Sequence, residues 1–380
     1  MKAIYLDHAA TTPIHPKVAE VMTESLQANF GNPSSVHSFG RKARQVLDKA
    51  RAVAAASISA TEKDIVFTSG GTEADNMAIT GVALANQTKG KHIITTKIEH
   101  HATLHTVENL EKQGFEATYL DVNEDGAIDI NQLKSALRDD TILVTVMMVN
   151  NETGVIQPIA EIGQLLEEHK AYFHTDAVQA YGMLPIDVNE LKVDLLTVSS
   201  HKINGPKGLG FLYVDPNVSL QALQHGGEQE RKRRPGTENV AAIAGFTEAI
   251  KLGQAERVDR YSKYQGFRDQ FLQILREQEV TFSINGEDAE RVPNIVNVSF
   301  PGTNVEALLT NFDLSGVAAS SGSACTAGSV EPSHVLSAMF TENSSCTTNS
   351  IRFSFGLAND EENVSAAAEK IGQIVKRLAK

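Results

Sequence analysis

The chain has 380 residues, 41% hydrophobic and 21% charged, with a formal net charge of −13. Such an acidic excess repels a phosphate backbone or an anionic membrane over most of the surface, so neither direct nucleic-acid binding nor membrane attachment is expected. The longest apolar run, within Ile142–Val149, is too short to span a bilayer, and the two cysteines, Cys325 and Cys346, cannot build a disulfide framework.

Met1–Thr12 (MKAIYLDHAATT) has no apolar stretch of the signal-peptide kind, which together with the cysteine count points to a reducing cytoplasm. Between residues 60 and 215 short apolar runs alternate with helical periodicity. The runs predict strands at Ile65–Thr68, His92–Thr96, Thr118–Leu120, Ile142–Val149, Ala171–Thr175, Leu195–Ser199 and Gly210–Val214. Helices are predicted between them, among others at Ala74–Ala85, Thr103–Gln113, Ile130–Leu137 and Ile159–His169. This alternation implies an α/β fold with a mostly parallel sheet covered on both faces. Past about residue 255 a long helix (Val258–Glu277), isolated strands (Ile295–Phe300, Ser350–Phe355) and a terminal helix (Glu361–Leu378) read as a smaller α+β domain. The expected division is residues 16–255 for the large domain, with 1–15 and 256–380 forming the small one.

Open α/β sheets bind ligands at the carboxyl ends of their strands. The residues there are Ser69-Gly70-Gly71-Thr72, Glu99-His100-His101, Asn150–Gly154 (NNETG), Asp176–Gln179 and Ser199–Lys202. Gly71 and Thr72 open a helix, where free N–H groups and the positive helix end suit a phosphate, although an ordinary glycine turn would look the same. Lys202 sits past an apolar strand, beside the hydroxyls of Ser199 and Ser200, and before a Gly/Pro turn. A lysine that carries a cofactor covalently needs that setting. Asp176 could face a protonated pyridine nitrogen or cap a helix, with Gln179 one turn further on. His101 and His105 have the spacing of a metal pair but lack a third ligand, so no metal site is expected.

Cys325 lies in Ala319–Gly328 (ASSGSACTAG), where small residues on both sides describe a mobile loop able to carry a thiol into a site. Cys346 has only a polar surrounding and is incidental. Arg352 alternates with Ile351 and Phe353, so its side chain faces away from theirs. It could grip a carboxylate or lie on the surface. The charged run Glu228–Arg234 reads as a solvated loop leading to Pro235-Gly236-Thr237.

These segments, together with Tyr5–Thr12 (YLDHAATT), Gly31–Ser35 (GNPSS), Thr68–Asn76 (TSGGTEADN), Ser200–Gly208 (SHKINGPKG), Arg233–Asn239 (RRPGTEN) and Ser320–Thr326 (SSGSACT), resemble the cysteine desulfurases of the NifS/IscS type. These are fold-type I pyridoxal 5′-phosphate enzymes, and the resemblance runs over essentially the whole chain. It implies a seven-stranded, mostly parallel sheet in the large domain and attachment of pyridoxal phosphate to Lys202. It further implies phosphate contacts from Gly71, Thr72, Ser199 and His201, joined by Thr237 from the other subunit of a homodimer. Asp176 would pair with the pyridine nitrogen, Gln179 and Asn151 would face the ring hydroxyl side, and His100 would stack on the ring and move protons. Arg352, with Asn151, would bind the carboxylate of L-cysteine, and Cys325 would accept its sulfur as a persulfide.

The persulfide would pass to a sulfur-acceptor protein, an iron–sulfur scaffold or a tRNA-thiolating enzyme. With a scaffold, Cys325 could transiently ligate an iron–sulfur cluster. Ser200 replaces the glycine that many such proteins carry before the His-Lys pair, and Thr341–Ser350 (TENSSCTTNS) is atypical. A selenocysteine lyase, an aminotransferase and a catalytically silent scaffold are the alternatives. An aminotransferase has no use for a thiol on such a loop, and a scaffold none for Lys202, Asp176 and Cys325 together.

Overall fold

The computed structural model describes residues 3–322, 332–341 and 344–379. A short strand β1 (Ile4–Tyr5) is followed by seven strands of one sheet: β2 (Ile65–Thr68), β3 (His92–Thr96), β4 (Glu116–Leu120), β5 (Thr141–Thr145), β6 (Tyr172–Asp176), β7 (Leu195–Ser199) and β8 (Gly210–Val214). Their order is β2-β8-β7-β6-β5-β3-β4, and only β8 runs antiparallel to its neighbours.

Every residue of β2, β3, β5, β7 and β8 is buried, which is why these strands read as continuous apolar runs. Strand β4 lies at the edge and exposes Glu116. Successive residues feed opposite layers. Ile94, Val144, Leu196 and Phe211 pack on one face of the sheet with Leu47 and Phe246, while Ile93, Leu143, Leu195 and Leu212 pack on the other with Ala78 and Leu110.

A second core belongs to β9 (Ser283–Ile284), β10 (Ile295–Ser299), β11 (Val317–Ala318), β12 (Ser350–Ser354) and the helix Glu361–Leu378. Phe353 is its hub, with ring centroids of Phe271, Phe312 and Phe300 at 4.8, 6.1 and 6.3 Å. Strand β1 pairs in parallel with β11, so the chain begins on this smaller unit.

The two cores share one helix, Val240–Glu277, of 38 residues and about 57 Å at 1.5 Å per residue. Ile243, Phe246 and Ile250 pack into the first core, and Phe267, Phe271 and Leu275 into the second. Sequence periodicity places its start at Val258, 18 residues late. Its first half is apolar on nearly all sides, buried between layers, and so lacks an amphipathic stripe. The β5 ladder ends at Thr145, short of the predicted Val149. Val146 and Met148 still donate to the carbonyls of His174 and Asp176, so the chain stays extended along β6 without a regular ladder.

Candidate active site

The carboxyl ends of the strands converge on one cavity of about 290 Å³. Gly71, Thr72, His100, Asn151, Asp176, Gln179, Ser199, His201, Lys202 and Arg352 all line it. Sequence reasoning had drawn these ten residues from six separate segments.

At the end of β2, Gly70 takes φ +150° and ψ −175° and caps the helix Gly71–Asn86. An L side chain rarely adopts that φ, so the turn demands glycine. A Cβ on Gly71 would come within 3.0 Å of Val178 Cγ2, so a side chain there would be crowded where the first turn of the helix lines the cavity. Ser199, at the end of β7, would lie within 4 Å of that Cβ, and His201 lines the same cavity. Glu73, one turn into the helix, accepts from Ser69 N (2.5 Å) and Arg234 Nε (2.8 Å), and these bonds hold its carboxyl below its usual range despite burial.

Lys202 closes a 3₁₀ turn, Ser200–Lys202. A Cβ at Gly205 would lie 2.1 Å from Ser200 Oγ, so the tight return behind the lysine depends on that glycine. The Lys202 ammonium donates to the carbonyls of Ala9 (2.5 Å) and Ala10 (2.8 Å). Gln179 Nε2 also donates to Ala9 O (3.0 Å), Thr12 Oγ1 donates to His201 O (2.7 Å), and His201 Nδ1 lies 3.1 Å from Thr11 Oγ1. The N-terminal segment is thus a wall of the site. The contacts to Lys202 and Gln179 come from backbone carbonyls of Ala9 and Ala10, which carry no residue-type signal, so only the YLDHAATT motif marks this wall in the sequence.

Asp176 ends β6, and its Oδ1 accepts from Val178 N (2.8 Å) in a side-chain turn. No helix follows, so the helix-cap reading fails and Gln179 reaches the cavity on the turn itself. Burial pushes the Asp176 carboxyl up to about 6, opposed by the Val178 N–H and by Lys202. Behind it lie more buried acids. Burial raises Asp75 well above its ordinary value, with the Asp176 charge adding to the rise. Burial also raises Glu99 to about 8 while it accepts from Thr96 Oγ1 (2.7 Å) and Met147 N (3.0 Å).

His100 caps the helix His101–Glu111 by accepting from Ala102 N at Nδ1 (3.1 Å), so a neutral ring carries its proton on Nε2. Burial first, then Lys202, lowers His100 to about 4, and the same causes lower His201 to about 4. The His101 ring lies 5.0 Å from His105 and 4.8 Å from His334, yet no group of three metal-ligating side chains occurs among the described residues.

Arg352 is buried, so it does not lie on the surface. Ile351 and Phe353 point into the second core while the guanidinium turns to the cavity. Thr237 is exposed and does not line its own chain's cavity. The charged run before it is not a simple solvated loop, because Glu230 is buried against Arg51 and Arg234 is tied to Glu73. Cys325 lies outside the described residues. Cys346 begins the short helix Cys346–Asn349, with Ser299 Oγ 3.7 Å from its sulfur.

Pyridoxal phosphate fits this residue set. Around the cavity, His101 Nδ1, Asn151 Oδ1, Glu152 Oε1 and Arg352 Nε are buried polar atoms without a hydrogen-bond partner among the described residues. Such atoms are costly unless a ligand satisfies them. A glycine-and-hydroxyl cup answers a phosphate, a buried carboxylate answers a pyridinium, and a lysine amine answers an aldehyde.

The family model for class-V aminotransferases matches residues 4–367. The chain is 60% identical over 378 residues to IscS 1 of Bacillus subtilis (strain 168), covering 100% of both chains. It is 46% identical to the cysteine desulfurase IscS of Dictyoglomus turgidum (strain DSM 6724 / Z-1310), covering 99% of this chain and 95% of that one. Among solved structures it is similar to a NifS-like protein from Rickettsia africae ESF-5, with 33% identity, a TM-score of 0.88, and coverage of 98% and 99%.

Proposed function

Because the chain belongs to the class-V aminotransferase family, among the cysteine desulfurases of the IscS and NifS type, we propose that it divides the desulfuration of L-cysteine between Lys202 and Cys325. The observation that carries this reading is the convergence of Lys202, Asp176 and Arg352 on one cavity from three different strands. Pyridoxal phosphate, when bound, supplies an electron sink for the pair released at the substrate Cα.

The residues then act in order. Gly71 and Thr72 would offer N–H groups, and Ser199 and His201 side-chain donors, to the phosphate, with Thr237 of the second subunit of a homodimer completing the cup. Asp176 would hold the proton of the pyridine nitrogen, and His100, a neutral imidazole, would offer its ring to that of the cofactor. Arg352 and Asn151 grip the substrate carboxylate. Lys202 would take the substrate Cα proton as a general base, with the carbonyls of Ala9 and Ala10 placed to hold the resulting ammonium. Cys325, as thiolate, attacks the substrate sulfur as the Cβ–S bond breaks. The balance is L-cysteine plus the Cys325 thiol giving L-alanine plus a Cys325 persulfide, which a sulfur-acceptor protein takes up. Among the described residues no helix is long and apolar enough to cross a membrane, and a persulfide carrier suits a reducing cytoplasm.

Borohydride reduction of the yellow holoenzyme followed by peptide mapping is expected to place the cofactor on Lys202. A label on Lys207 or another lysine overturns the assignment. Arg352→Ala is expected to raise the KM for L-cysteine far more than it lowers kcat.

A further inference from the structure

The buried Arg352 guanidinium is held before any substrate arrives. Its Nη1 donates to the Asn151 carbonyl (2.9 Å) and its Nη2 to Asp7 Oδ1 (2.8 Å). Asp7 is itself fixed, because its second oxygen accepts from Ser320 Oγ (2.9 Å). Ser320 in turn exchanges backbone hydrogen bonds with Arg352, N to O at 3.3 Å and O to N at 2.7 Å. One guanidinium nitrogen is left over. Nε is buried and has no partner among the described residues.

A guanidinium on a long rotatable stem loses entropy when it binds a carboxylate, unless its plane is already set. Two ties at Nη1 and Nη2 fix that plane, and they come from different parts of the fold, Asn151 after β5 and Asp7 after β1. Two of the five N–H groups are used in these ties, and the nitrogen with no partner among the described residues is Nε, on an edge that a carboxylate oxygen would meet. The Asp7 charge also offsets that of Arg352, so the site admits one further carboxylate without being a general anion trap.

We propose that Asp7 is a positioning residue that sets Arg352 to receive the α-carboxylate of the substrate and so selects carboxylated amines. The proposal rests on the reading of Arg352 given above and deepens it.

The test uses the holoenzyme and the variants Asp7→Ala, Asp7→Asn and Arg352→Ala. Asp7→Ala is expected to raise the KM for L-cysteine about tenfold or more while kcat changes less than about threefold. Titration of the cofactor absorbance with L-alanine should weaken in parallel. Titration with cysteamine, which has the amine and thiol but no carboxylate, should not change. Asp7→Asn keeps an oxygen acceptor for Nη2 and should recover most of the loss, which separates positioning from damage to the fold. An unchanged or lowered KM in Asp7→Ala, or equal weakening for cysteamine, overturns the proposal. If Arg352→Ala itself leaves KM unchanged, the carboxylate reading falls. If Arg352→Ala raises KM and Asp7→Ala does not, only the role of Asp7 falls.

Discussion

Arg51 and Glu230, 179 residues apart, form a buried two-pronged ion pair with both nitrogen–oxygen distances at 2.7 Å. Arg51 also donates to Ile65 O (2.6 Å), Glu230 accepts from Phe67 N (3.0 Å), and the guanidinium lies 4.9 Å from the centre of the Phe67 ring. Glu230, Arg231 and Lys232 all adopt positive φ (46°, 56° and 67°), an unfavourable conformation for non-glycine residues that this anchor holds in place. Arg51→Met leaves the Glu230 charge buried without its partner and should cost about 3–5 kcal/mol in unfolding free energy. Glu230→Gln retains an acceptor for Phe67 N and should cost less. A loss below about 1 kcal/mol for Arg51→Met would show that the anchor is not energetically important.

Thr237 is exposed and lies outside its own cavity, and if the chain pairs as proposed, mixed dimers test where it acts. Pairing a Lys202→Ala subunit with a Thr237→Ala subunit leaves one site with both Lys202 and a Thr237 from across the interface. That hybrid should keep one site with wild-type cofactor affinity. If Thr237 served its own subunit, the only lysine-bearing site would also lack the threonine, and cofactor affinity would match the Thr237→Ala homodimer.

Glu99 should make stability depend on pH. Burial raises its carboxyl from 4.5 to about 8, so the folded chain keeps a proton that the unfolded chain releases. Stability from this group is therefore present below about 4.5, declines as pH rises toward about 8, and is flat above. The full span is on the order of a few kcal/mol. Glu99→Gln, neutral at every pH, should gain on the wild type steadily between pH 5 and 8 in urea unfolding. Parallel stability curves for the two proteins would rule this out.

Cys325→Ala should stop sulfur release by about 10²-fold or more, as expected for loss of a group acting in the transition state, while the absorbance of the bound cofactor stays unchanged. Cys346→Ala should behave like the wild type, since Cys346 does not line the cavity and its sulfur accepts a long hydrogen bond from Ser299 Oγ at 3.7 Å. Turnover in Cys325→Ala, or loss of the cofactor band before L-cysteine is added, removes Cys325 from the mechanism.

The sheet was legible in the chain because burial on both faces forces uninterrupted apolar runs, and five of its seven strands are wholly buried. Gly71, Asp176, Ser199 and Lys202 were legible because an α/β sheet gathers whatever follows its strands at one edge. Three features were decided only in three dimensions, and each depends on partners far away in sequence. Val240–Glu277 hides half its length between layers, so its start carries no amphipathic signal. The carbonyls of Ala9 and Ala10 hold Lys202 across more than 190 positions through backbone groups that every residue possesses. Glu230, in a run that local charge marks as solvated, is buried because Arg51 meets it there. Local pattern reports what a segment buries on its own account, whereas a buried charge or a backbone acceptor acquires its role only from the partner that folding brings to it.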